Sequence, residues 1–68
     1  MSIAKVIEVL AEGNTIEGAI QAAVSEAGET VRGIEHVYVQ NVQAFVEKGQ
    51  VVKYRVNAKL TFVVEDQR

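Results

Sequence analysis

The chain has 68 residues, no cysteine and a formal net charge of −2, which leaves room for one domain and excludes a disulfide framework, a thiolate zinc site and a cysteine nucleophile. Its sequence pI near 5.2 argues against a general nucleic-acid binder, which displays a concentrated basic surface. No apolar run approaches the roughly 18 residues needed to span a bilayer, and at this length folding buries only about 60% of the unfolded surface.

Oligomerisation is therefore the leading staple left to a fold this small. Residues 1–68 read as a single domain, with neither prolines nor linker-like composition to divide it. The opening stretch is broken by Lys5 and Glu8 and lacks a signal-peptide layout, so the expectation is a soluble, cytoplasmic protein without membrane or nucleic-acid partners.

The first element, Ile3 to Leu10, is β-branched and largely apolar at both parities, which suits a strand covered on both faces. Glu12-Gly13-Asn14 marks a turn. Asn14 is an N-cap candidate with Glu17 three residues on, and Ile16, Ala19, Ile20, Ala23, Val24 and Ala27 follow at helical spacing. A helix is expected from Thr15 to Val31, with Gly33 as its stop and Gly28 marking close packing or an early fray.

The second strand, Glu35 to Glu47, changes phase: Val37 and Val39 are apolar at odd positions, Val42, Ala44 and Val46 at even ones. A β-bulge at Gln40-Asn41 restores a single apolar face. Glu47-Lys48-Gly49-Gln50 closes a hairpin, with Gly49 supplying the positive φ. The third strand, Val51 to Val64, alternates cleanly, with Tyr54, Val56, Ala58, Leu60, Phe62 and Val64 on one face and Lys53, Arg55, Asn57, Lys59 and Thr61 on the other.

Fourteen residues at about 3.3 Å each span roughly 46 Å, whereas a compact domain of this size is about 28 Å across. The strand must curl strongly or run onto a neighbouring subunit. The fold class is thus α+β, in the order β-α-β-β: a three-stranded antiparallel sheet wrapped around one helix. One helix leaves apolar surface on the first and third strands for assembly.

Little in the chain qualifies as catalytic machinery. His36 is the single histidine and reads first as a surface or interface residue. Glu26 and Glu29 sit near the exposed helix end, and Thr15, Ser25, Thr30 and Thr61 have no local base. Glu8, Glu35, Glu47, Glu65 and Asp66 are candidates for a hard cation gathered between chains, without EF-hand spacing. Lys53, Arg55 and Lys59 form a basic stripe that reads as a solvated face or as a seat for a small anion.

The element order, the length and the residues together resemble the dodecin family. The matching pieces are Lys5-Val6, the helix start at Asn14-Thr15, the spacing of Ala19, Ala23 and Ala27, the Thr30-Val31-Arg32-Gly33-Ile34 segment, and Tyr54 and Phe62. The resemblance implies a hollow homododecamer that is not an enzyme and binds flavin (riboflavin or FMN), stacking isoalloxazine rings between tryptophans of adjacent subunits. Two positions depart from it: His36 stands where the stacking tryptophan would be, and Arg55 where a flavin-contacting glutamine would follow the strand tyrosine.

Aromatic stacking is worth roughly 1–3 kcal/mol per ring, so its loss weakens flavin binding by about an order of magnitude or more. Arg55 instead favours an anionic ligand or an inter-subunit salt bridge. Tryptophan-lacking members similar to this chain are associated with calcium. Three functions follow: a non-catalytic storage shell with an altered flavin pocket and a place for divalent cations such as calcium; a working flavin store in which His36 and Arg55 substitute for the usual pair; and an enzyme using His36 at a subunit interface.

Overall fold

The structure, a computed structural model, describes residues 2–65. It contains β1 (Ser2–Gly13), α1 (Ile16–Ala27), β2 (Ile34–Glu47) and β3 (Gln50–Glu65). The expected β-α-β-β order is present, and the sheet runs β1-β3-β2 with both outer strands antiparallel to β3. Asp66, one of the candidate cation ligands, lies outside the described residues.

The central position of β3 follows from its neighbours. The two-residue turn Lys48-Gly49, with φ of 52° and 79°, folds β3 directly back onto β2 as a tight hairpin with positive φ at both central residues. The helix connection then carries β1 to the far edge of β3. Along β3 the alternation is realised as read: Val56, Ala58 and Leu60 are fully buried and Phe62 nearly so.

α1 lays its alanine stripe on that face, with Ala19, Ala23 and Ala27 buried. Ala27, Ala58 and Leu60 form the centre of the core, packed by Ile7, Val9, Val24, Val31, Ile34 and Val37. Gly13 sets how closely the helix can approach. A Cβ there would stand 2.7 Å from the backbone nitrogen of Ala19.

The helix is shorter than its sequence pattern suggests. Thr15, not Asn14, caps it: Thr15 is extended and its Oγ1 accepts from the Gly18 N–H at 2.8 Å. At the other end Gly28 donates to the Val24 carbonyl at 2.8 Å, and Thr30 and Val31 both turn their N–H groups back onto the Ala27 carbonyl, at 3.0 and 2.9 Å. Residues 28–31 thus unwind after Ala27, and Gly33, at φ 77°, instead opens β2, where its carbonyl accepts from Val63 N–H at 3.3 Å.

The phase slip in β2 is the expected bulge: Val39 pairs with Ala58 and Asn41 with Asn57, so Gln40 is the extra residue. Two further shifts occur, one at Glu35 between Ile34 and His36 and one at Val52 opposite Phe45-Val46. The Gln40 bulge returns Val42 and Ala44 to the helix side of the sheet, opposite Val56 and Tyr54. It does not bury them, because Val42 remains 43% exposed.

Twelve helical residues measure about 18 Å, while the sixteen of β3 measure roughly 53 Å. The described chain extends 57 × 19 × 13 Å, with a radius of gyration of 14.4 Å against about 11 Å for a compact chain of this length. Of the two expectations for the overlong strand, strong curling is not what occurs. β3 runs the length of an elongated molecule, and the hairpin end carries Val46, Val51 and Val52 at 61%, 52% and 44% exposure.

Two substitutions test this packing. Leu60→Ala, at a fully buried site, should cost about 2–5 kcal/mol. Gly13→Ala should lower the melting temperature by several degrees, since forcing a methyl against rigid backbone costs about 1–3 kcal/mol. Thermal denaturation followed by circular dichroism measures both, and a Gly13→Ala protein as stable as the wild type would contradict the close helix–strand contact.

Candidate functional site

The face of the sheet away from α1 carries the chemistry-bearing residues. Pairing places Lys53, Arg55, Asn57, Lys59 and Thr61 of β3 beside Glu12, Leu10, Glu8 and Val6 of β1 and beside Phe45, Gln43, Asn41, Tyr38 and His36 of β2. Val6 and Leu10 stand 57% and 64% exposed there. The first strand is thus apolar on both faces, as read, but only its odd-numbered side meets the helix.

Arg55 is engaged within its own chain. It lies directly opposite Glu12 and donates from Nε and Nη2 to Glu12 Oε2 at 3.0 and 2.6 Å. Lys53 Nζ donates to the other oxygen, Oε1, at 3.0 Å. Both cations also stand over the Phe45 ring, Lys53 Nζ at 5.0 Å and Arg55 Cζ at 4.8 Å from its centroid.

The Arg55 hydrogen bonds first, and the Lys53 bond next, hold the Glu12 carboxyl below its ordinary range. Within its own chain, Arg55 thus has Glu12 as a salt-bridge partner. Glu12 was not among the candidate residues; reading the two strands as antiparallel partners would have been needed to place it, and its register is a long-range property. Next to this cluster, Asn57 has a buried Oδ1 with no hydrogen-bond partner among the described residues.

His36 shares the face but not the cluster. It is exposed and sits opposite Thr61, six residues along β3 from Arg55, a separation of roughly 20 Å at strand rise. The two family-position residues do not converge on one small ligand within a single chain. Across β3 within the chain, His36 faces Thr61 and beyond it Val6.

Glu8, Glu35 and Glu47 are likewise dispersed: Glu8 is opposite Lys59, Glu35 occupies a bulge and Glu47 ends at the hairpin turn. Among the described residues no group of three His, Cys, Asp or Glu side chains comes together. No helix among them is long and apolar enough to cross a membrane.

The Glu12 interaction has a defined pH dependence. A carboxylate whose folded pKa lies below its ordinary value of 4.5 contributes stability above that value and loses it as pH falls through the folded pKa. Wild type should therefore melt above Glu12→Gln at neutral pH, by a small margin since the pair is partly exposed, and the two should converge as the pH falls through the lowered folded pKa of Glu12. A margin that is unchanged by acid would contradict the ion pair.

The dodecin family model matches residues 3–65. A Thermus thermophilus protein superposes with a TM-score of 0.90 at 25% identity, over 98% of this chain and 100% of its own, and a substituted form of T. thermophilus dodecin does so at 0.89 and 25%, over 97% and 100%. The dodecin of Streptomyces coelicolor is 30% identical over 97% of this chain and 96% of its own, with a TM-score of 0.87. No curated protein matches. With nearly all of its length accounted for by one family model and by folds of known dodecins, the chain belongs to the dodecin family.

Proposed function

We propose that this chain builds a non-catalytic, hollow dodecin shell in which the flavin-contact positions have been rewired, leaving a container that holds flavin weakly or holds a different ligand. Family membership supports the coarser statement of a small flavin-binding or storage protein. The observation that carries the finer one is Arg55. At the position where the resemblance places a ligand-contacting glutamine, its guanidinium is committed to Glu12 through two donors.

A glutamine side chain offers both a donor and an acceptor to a ring edge, whereas an arginine offers donors only, and here two of them are already taken. His36 contributes a smaller stacking surface than an indole. The roughly 20 Å between His36 and Arg55 means that any site using both draws them from different copies of the chain. This supports assembly as a condition of ligand binding.

The test is the colour of the purified protein and its response to added riboflavin. The expected protein shows no flavin absorption in the near-ultraviolet and blue, and it quenches riboflavin fluorescence only at micromolar concentrations or above. A yellow protein, or quenching at sub-micromolar concentration, would contradict the rewired site and favour a working flavin store in which His36 and Arg55 substitute for the usual pair.

A further inference from the structure

The Glu12–Lys53–Arg55–Phe45 cluster has the composition of an occupied anion site. Two cations address one carboxylate, with three donor groups shared between two oxygens. One positive charge is left over. Both cations rest on the Phe45 ring, which positions them independently of the carboxylate they bind. Within the single chain their side chains and that of Glu12 remain 36–44% exposed, so the pairing with Glu12 leaves the same donors open on one side.

We propose that Glu12 acts as an internal stand-in for a ligand, and that Lys53 and Arg55 on the Phe45 platform form a site for a phosphate-bearing small molecule. This deepens the reading of Arg55 given above, and it rests on that reading for its place in the protein. A phosphate suits the site better than an external carboxylate does. Glu12 is tethered and so presents a high effective concentration of carboxylate, which a free group of the same charge does not overcome. A phosphate dianion brings a second negative charge to the unmatched cation and a third oxygen to the Arg fork and Lys point charge.

Glu12 thereby sets specificity: neutral ligands gain nothing from the paired cations, and weak anions are screened out. Calorimetric titration of the assembled protein with inorganic pyrophosphate at low ionic strength tests this. Because the probe contains no flavin ring, its result is independent of the riboflavin measurement. Glu12→Gln should bind pyrophosphate roughly tenfold more tightly than wild type, with an opposing charge and a tethered competitor removed. The gain should vanish in the double variant Glu12→Gln/Arg55→Gln and shrink with added salt.

Equal affinities for wild type and Glu12→Gln would overturn the proposal, as would a gain that survives loss of Arg55. Wild-type protein supplies a second readout that does not depend on any variant folding. Millimolar pyrophosphate should displace the carboxylate and move the NMR resonance of the Arg55 Nε–H, and a resonance that stays in place would overturn the proposal as well.

Discussion

A helix of about 18 Å lies on a central strand of roughly 53 Å, and most of what distinguishes this molecule follows from that mismatch. The alanine stripe of α1 seals the sheet where Val56, Ala58, Leu60 and Phe62 pass beneath it. Beyond the helix the β2–β3 hairpin continues as a two-stranded ribbon with valines open to solvent. An isolated ribbon of this kind is marginal in water. Exposed apolar surface on the hairpin, together with Val6 and Leu10 on the opposite face of β1, is surface that another copy of the chain can cover.

Much of this was legible in the residues, because the signals were local. The strict alternation from Tyr54 to Phe62, the Lys48-Gly49 turn and the phase slip at Gln40 each depend on a few neighbouring positions, and each is found in the structure. The helix boundaries were read one residue early and four late. Thr15 and Asn14 are both competent caps, and it is the Thr15 hydroxyl that accepts from the Gly18 N–H. At the far end, apolar periodicity runs on through Val31, but the Ala27 carbonyl collects the turning N–H groups and ends the helix.

The site was legible only by half. His36 and Arg55 stood out as departures from a family pattern, and both lie on the face away from the helix. Glu12 did not stand out, since nothing near it in sequence announces a partner forty-three residues away. Its role depends on the β1–β3 register, which sets Glu12 against Arg55 and Glu8 against Lys59. Oppositely charged pairs across the strands thus turn a basic stripe on β3 into a largely neutralised surface. That surface bears one excess cation around Phe45, where ligand chemistry and fold meet.

The same register links the site to assembly. With His36 on β2 and Arg55 on β3, roughly 20 Å apart at strand rise, a ligand that touched both would draw them from different copies of the chain. The mass of the particle in dilute solution, by light scattering or native mass spectrometry, tests this most directly. Twelve chains of 7.4 kDa each give roughly 89 kDa, the dodecameric mass expected when the overhanging strands are covered by neighbouring copies. A particle that stays at the mass of a monomer, dimer or trimer, with its circular dichroism intact, would contradict the account.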